Sequence, residues 1–321
     1  SIFSSISSLL IISKSLVCGC GVISTSKMKE IGDTFVTHQN TYGVNALLAS
    51  GIAANESNWG ASSIAAKKNN LFGINAVDTS PGTSATTFES AGECIRQFVE
   101  SYMSKKYLRP GYTYYHGGYL GNKAGGINVS YASDPYWGEK AANMAWVLDK
   151  QGGSKDSGTY TIGIKDTIST EHNNVNVRNG SSTSATALYK TGKNTGYAVL
   201  LQKAAAENGF YKIQSDGVLN SGRTAINTSS GKYNITSMYA YISDDYVTVV
   251  NKGSDVTAQE PEEEPEEKEP ETSVTYTKYK TTTSVNYRTG AGTSYSKGGT
   301  LASGTTLEVE DGYSKSADGY T

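Results

Sequence analysis

The chain has 321 residues, enough for two or three domains each with its own core, and its 37% apolar and 18% charged content suits a soluble globular protein. The net charge of −2 is uneven: residues 260–271, "EPEEEPEEKEPE", hold eight Glu and one Lys, a local −7 that leaves +5 on the rest. That excess favours an anionic polymer such as a bacterial wall, but it forms no basic stripe of the nucleic-acid-binding kind. No run of 18 apolar residues exists, so no membrane span is expected. Cys18, Cys20 and Cys94 make no disulfide framework, and Cys18-Gly-Cys20 lacks partners at zinc-site spacing, so neither a metal nor another cofactor is expected. Tyr is the outlier, 23 against 6 Phe and 3 Trp, which favours surfaces both adhesive and polar, as carbohydrate contact requires.

In chain order, "SIFSSISSLLIISKSLVCGC" has no positive residue before Lys14 and serines break its apolar run, so it reads as an amphipathic first helix rather than a signal or lipid anchor. Met28, Ile31, Phe35 and Tyr42 fall on one helix face, and after the Tyr42-Gly43 break Val44, Leu48 and Ile52 mark another helix. "ESAGECIRQFVESYM" predicts a third with Ala91, Ile95, Phe98 and Tyr102 inward, opened by a Ser90–Glu93 capping box. A fourth is expected from Pro135 to about Leu148, with Trp137, Ala141, Met144 and Leu148 on its stripe and Asp134 as its N-cap.

Beyond "DKQGGSKDSGT" the pattern changes to short Val/Thr/Tyr runs separated by Gly, Asn and Ser, which reads as all-β. "VNVRNGSSTS" at 175–184 matches "VNYRTGAGTS" at 285–294, an offset of 110 that also aligns "NGFY" at 208–211 with "DGYT" at 318–321. The acidic, Pro-rich run lies between the two copies and is expected to be an extended linker. The second copy stops at Thr321, where the first continues with "KIQSDG".

One carboxylate stands out. Glu56 follows Ile52 and Leu48 at i−4 and i−8 and so is expected on the buried face of its helix, close to the stop formed by Asn58, Trp59 and Gly60. Burial and the negative end of the helix dipole both disfavour its ionised form. A raised pKa suits a general acid for glycosidic cleavage. The same spacing also fits an ordinary helix-terminal Glu on a solvated edge.

"NESNWGASSIAAKKNNLFGINA" and "NVSYASDPYWGEKAANMAWVLDK" closely resemble the glucosaminidase domain of bacterial cell-wall hydrolases, glycoside hydrolase family 73, found in autolysins and phage endolysins. The likeness is strong over about 45–150, weaker over 1–44 and absent beyond. It implies Glu56 of E-S-N-W-G as the catalytic acid and a lysozyme-like, mainly helical domain with a small β-hairpin. Glu89, 33 residues on in "TTFES", stands where that hairpin edges the groove and is one candidate for the second catalytic group. Tyr131 is another, ranked equal with it: it matches a groove tyrosine where the substrate's own acetamido group serves as nucleophile. Asp134 stands behind both, since its place before Pro135 already explains it as an N-cap. Expected substrate contacts are Asn70, Phe72 and Gly73 of the N-N-L-F-G turn, and Asp134, Tyr136 and Trp137 of the Y-A-S-D-P-Y-W-G-E-K run. Tyr115 joins them from the crowd of Tyr107, Tyr112, Tyr114, Tyr115 and Tyr119, whose rings can stack on sugars.

"NVNVRNGSSTSATAL" and "SVNYRTGAGTSYS" resemble the opening of bacterial SH3-like wall-binding modules. The expected organisation is a multidomain α+β chain: a catalytic domain at 1–150, a linker at 151–165, an SH3-like barrel with an insertion at 166–255, the acidic linker at 256–273 and a partial second SH3-like barrel at 274–321. Such a chain would be a monomeric endo-β-N-acetylglucosaminidase, extracellular and wall-associated. Its partners would be peptidoglycan glycan strands and wall peptides. A non-catalytic wall-binding or adhesion protein is the alternative from another class, and a muramidase or lytic transglycosylase keeps the fold but changes the bond. Cys94 falls on the inward face of its helix, so a buried inert thiol outweighs a thiol–imidazole pair with His116, and His38, His116 and His172 occur in no metal motif.

Overall fold

The computed structural model describes residues 26–77, 79–165, 174–192, 196–203, 205–254, 276–289 and 293–310. The expected first helix with Cys18 and Cys20, His172, the acidic linker and "DGYT" at 318–321 lie outside them. Contacts divide the chain into one unit up to Glu260 and a second from Pro261, so the helical half and the first β half belong to one unit.

Helix α1, Gly32–Tyr42, ends where Gly43 turns left-handed (φ 72°) and its N–H closes onto Gln39 O at 2.8 Å. Met28 lies in the turn before this helix rather than on it. Helix α2, Ala46–Ser57, is capped by Asn45, whose Oδ1 accepts from Leu48 N at 2.9 Å, and stops at Asn58 in the left-handed region (φ 49°). It is buried almost all round, so its apolar residues need no stripe, and Leu48, expected inward, is 36% exposed. Helix α3, Ser63–Lys68, leads into the Asn69–Gly73 turn. Helix α4, Pro81–Ser84, is a single turn started by its proline.

No strand forms among the described residues before Thr161. The expected hairpin at Glu89 is replaced by helix α4 and two isolated backbone bonds, Thr86 N to Ile74 O and Phe88 N to Lys68 O, each 2.9 Å. Helix α5, Ala91–Gln97, begins at Ser90, whose Oγ accepts from Glu93 N at 3.1 Å. Only half of the expected capping box forms, because the Glu93 carboxylate turns to Arg96 instead. The helix then widens into a π-helical stretch, Phe98–Tyr107, which buries Phe98, Val99, Met103, Ser104 and Tyr107. That wider turn leaves Tyr102 only partly buried.

Helix α6, Trp137–Gln151, starts two residues later than expected, since Asp134 caps a turn: its Oδ1 accepts from Tyr136 N at 2.9 Å. Helices α2 and α6 run antiparallel in close contact. A Cβ at Gly51 would stand 2.6 Å from Ala141 O and 2.8 Å from Ala145 Cβ. The small-residue run of α2 therefore lets α6 approach closely, and this brings Trp137 to Glu56.

The β half of this unit is a seven-stranded antiparallel sheet: β1 Thr161–Lys165, β2 Asn176–Arg178, β3 Ala187–Lys190, β4 Tyr197–Leu201, β5 Phe210–Gln214, β6 Tyr239–Ser243 and β7 Thr248–Asn251. The order β3-β2-β6-β5-β4-β1-β7 leaves β3 and β7 at its edges, so it is open rather than a closed barrel. Residues 161–165, expected within a linker, form β1 because Thr161, Gly163 and Lys165 alternate inward between β4 and β7.

The insertion between β5 and β6 fastens this sheet to the helices. Tyr233 N donates to Thr41 O at 2.9 Å, Ser104 Oγ to Gly231 O at 2.8 Å and Arg109 Nη1 to Thr228 O at 3.2 Å. A cavity of about 460 Å³ lies along this seam, lined by Leu48, Ile52, Leu120, Ile162 and Leu200 among others, and Glu56 is not part of it.

In the second unit, β8 Tyr276–Lys280 pairs with β11 Thr306–Glu310, and β9 Val285–Arg288 with β10 Lys297–Leu301. The repeat has a shared physical basis. Arg178 Nη1 donates to Ala185 O at 2.7 Å and Arg288 Nη1 to Tyr295 O at 2.8 Å, so the arginine of each V-N-x-R braces its own hairpin turn.

Candidate active site

Glu56 occupies the last turn of α2, partly exposed, with Trp137 Nε1–H donating to its Oε1 at 2.6 Å. Burial pushes its pKa above the ordinary carboxyl range, and the Trp137 bond, which favours the ionised form, offsets part of that rise. Because Oε1 is held as an acceptor, the proton of the acid form belongs on Oε2, which leaves one defined atom to face a leaving group.

The Trp137 ring, 3% exposed, lies 4.4 Å from the Tyr131 ring at 31°. Tyr131 in turn meets Phe98 edge-on at 6.4 Å and Tyr107 at 5.4 Å, while Phe98 stacks on Phe72 at 3.7 Å. The Tyr131 hydroxyl is raised well above its usual pKa by burial and then by the Glu56 charge, so it is a neutral donor at any working pH. Rings continue outward from Tyr107 to Tyr114 at 5.3 Å and from Tyr114 to Tyr112 at 5.4 Å, with the Arg109 guanidinium over Tyr112. Tyr114 is 40% exposed, so an aromatic path runs from the surface to Glu56.

The structure therefore brings together Glu56, Tyr131, Trp137 and Phe72. Gly73 flanks them in the turn (φ 62°), and a side chain there would meet nothing within 4 Å, so the space beside it is open. Asn70 is buried, and its amide is taken up by the turn: Oδ1 accepts from Ile74 N at 3.0 Å, and Nδ2 donates to Ile74 O and Thr86 O, both at 3.0 Å.

Other expected residues stand apart from this cluster. Glu89 is exposed, and its backbone carbonyl accepts from Asn69 Nδ2 at 3.3 Å. The Asp134 carboxylate accepts from Tyr136 N and, at 2.6 Å, from Lys140 Nζ; Lys140 first, then that backbone bond, holds its pKa below the usual range. Tyr136 is 66% exposed. The Tyr115 hydroxyl is committed to the seam, 2.8 Å from Tyr197 Oη and 2.8 Å from Asp216 Oδ2.

Two residues that sequence reasoning passed over hold the site in place. Asn128, fully buried, donates Nδ2 to Asp134 O at 3.0 Å and Pro135 O at 3.2 Å, and Lys123 Nζ donates to Asn128 O at 2.7 Å and also to Ala132 O. Together they fasten the loop that carries Tyr131 to the start of α6. Asn128 opens the matched run "NVSYASDPYWGEK", which is the one signal that could have found it.

The rival groups have other occupations. Cys94 is buried against the Asn69–Gly73 turn, accepts from Leu71 N, and burial pushes its thiol up to about 11, too high for a thiolate nucleophile. His116 Nε2 lies 2.9 Å from Ser130 Oγ. Among the described residues no three His, Cys, Asp or Glu side chains converge as metal ligands.

Residues 32–150 match the glucosaminidase family model, described as mannosyl-glycoprotein endo-beta-N-acetylglucosaminidase. Two relatives named "Putative endo-beta-N-acetylglucosaminidase", one from Streptococcus pneumoniae serotype 4 and one from its strain R6, are each 43% identical over 134 residues. That covers 42% of this chain but only 20% and 18% of theirs, so the chain spans about a fifth of the length of these relatives. The structure of NlpC2 from Trichomonas vaginalis aligns at 15% identity and a TM-score of 0.17, over 49% of this chain and 40% of that one, too slight a likeness to bear on the fold. Residues 32–150 thus carry a glycoside hydrolase domain.

Proposed function

We propose that this protein is an endo-β-N-acetylglucosaminidase that cleaves the β-1,4 bond after N-acetylglucosamine in peptidoglycan, with Glu56 as general acid. The observation that carries the reading is a partly buried carboxyl of raised pKa, oriented through one oxygen by Trp137, at the inner end of an aromatic path. Glu56 gives its Oε2 proton to the glycosidic oxygen as the C1–O bond breaks. The 2-acetamido oxygen of the same sugar bonds to C1 and forms an oxazolinium ion, with the Tyr131 hydroxyl orienting that group. Water then adds at C1 as the bond from C1 to the acetamido oxygen breaks and restores the acetamide, and the water gives a proton to the Glu56 carboxylate, restoring the acid.

The position of Tyr131 supports this substrate-assisted route over one through Glu89, since Tyr131 packs on Trp137 and lies within reach of the Glu56 charge. The two β modules, with their matched arginine-braced hairpins, we read as SH3-like wall-binding repeats, and we place the protein outside the cell at the wall. Mass spectrometry of digested wall tests the bond. Reducing-end N-acetylglucosamine is expected; reducing muramic acid or an anhydro product would refute it.

A further inference from the structure

The outer face of the seven-stranded sheet carries a group of cations that the catalytic reading does not use. Ala240 and Ile242 of β6 are fully buried, so Tyr239 and Tyr241 point to the opposite face. Arg178 on β2 and Lys212 on β5 both pair with Tyr241 and share that face. Lys212 Nζ stands 3.9 Å over the Tyr239 ring, and the Arg223 guanidinium lies 3.5 Å over the same ring. Arg223 holds this position from a left-handed backbone conformation (φ 50°), fixed by donation from Nη2 to Asn179 O at 3.0 Å and Tyr239 O at 3.1 Å. Residues with a Cβ keep such a conformation only where their surroundings enforce it, and such positions cluster at ligand clamps.

The balance of charge is unusual. Among the described residues, the one ion pair made by Arg178, Lys203, Lys212 or Arg223 is that of Lys203 with Glu207, at 2.5 Å. Asp244 and Asp245 follow the end of β6, where Asp245 accepts from Ser243 Oγ. Lys212 is half-buried and has no carboxylate within ion-pair distance among the described residues. Its ammonium is pushed below its usual pKa by burial first, then by Lys203 and Arg223, with Glu207 opposing. Two cations are thus held on one ring with no ion-paired carboxylate among the described residues, and Tyr241 stands edge-on 6.0 Å away with its ring partly open.

We propose that this face binds a phosphodiester-linked polyol or sugar polymer of the bacterial wall. Phosphates of the polymer pair with Lys212 and Arg223 on either side of the Tyr239 ring, and the neighbouring polyol or sugar lies against Tyr241. A phosphodiester keeps its charge across the working pH range and presents two oxygens at once. A polynucleotide has the same linkage, but the face lacks the run of basic residues that a nucleic-acid backbone follows. This assignment rests on the proposed location at the wall, but not on which bond the helical domain cleaves.

The test uses the full chain at low salt with three probes: polyglycerol phosphate, poly-glutamate and a single-stranded oligonucleotide. Titration calorimetry should show binding to polyglycerol phosphate that falls at least fivefold in Lys212→Gln and further in Lys212→Glu. Hydrolysis of a short neutral glycan should be unchanged in both. Circular dichroism checks folding, and if Lys212→Glu fails to fold the neutral variant decides. Absence of binding, equal or tighter binding of poly-glutamate or of the oligonucleotide, or an affinity unaltered by either substitution would overturn the proposal.

Discussion

Replacing Trp137 by Phe removes the N–H that holds Glu56 while keeping an aromatic ring against Tyr131. The lost bond is short, 2.6 Å, and charge-assisted when Glu56 is ionised, so it favours the carboxylate by about 1.5–3 kcal/mol. At about 1.4 kcal/mol per pKa unit, its loss moves the Glu56 pKa up by roughly one to two units. Burial, the cause that already raises it, then acts unopposed. As the acid form is the active one, activity falls as pH rises through this pKa. The alkaline limb of the kcat profile should therefore shift up by about one unit or more. Below that limb kcat should drop about tenfold, because a carboxyl no longer fixed through Oε1 presents its proton less often. The smaller ring also leaves a void, and a stability loss of about 1–3 kcal/mol is expected. The assay is a pH series of kcat on a soluble N-acetylglucosamine oligomer, with thermal melts alongside. An alkaline limb that stays in place or moves down would refute the reasoning.

Gly51→Ala gains up to about 1 kcal/mol in helix propensity but sets a methyl 2.6 Å from Ala141 O; overpacking of about 1–3 kcal/mol should prevail, lowering the melting temperature and kcat together. Asp216, at the seam, accepts from Tyr115, Tyr197 and Gly118 N, yet burial raises it to about 6 from the 3.8 of a free aspartate. Its contribution to stability is full below pH 3.8 and is lost as pH rises through 6, a change of about 3 kcal/mol; in denaturant melts Asp216→Asn should gain on the native protein by that order between pH 4 and 7, and parallel curves would sink the idea. Tyr131→Phe should cut kcat at least tenfold while Glu89→Gln stays within about threefold of the native rate; a severe loss in Glu89→Gln, rescued by azide with Tyr131→Phe nearly silent, would reverse the choice between them.

Features set by neighbouring residues were readable from the sequence. The stop at Asn58, Trp59 and Gly60 ends α2 where expected, so the place of Glu56 at a helix end follows from a few residues, whereas the start falls at Ala46, after Val44. What the sequence hid depends on residues far apart. The Trp137–Glu56 bond spans 81 positions and the Tyr115–Asp216 bond 101, and neither leaves a periodic trace. Tyr115 looked like a sugar platform because exposed and buried tyrosines are alike until a partner such as Asp216 is known. Residues 161–165 looked like linker because five residues flanked by Gly and Ser carry little signal, although pairing with β4 and β7 makes them an inner strand. The π-helical widening after Gln97 moves the inward face from Tyr102 to Met103, a shift that a fixed helical period cannot register.

The account depends above all on the proton of Glu56, and replacing it by Gln removes that proton while keeping the shape and the acceptor for Trp137. Wall digestion by the native chain and by Glu56→Gln should be followed by release of reducing ends, with wall binding and thermal melting measured on the same samples. The account predicts a loss of turnover on the order of 10²–10⁴ with binding and folding retained. Turnover near the native rate would contradict it.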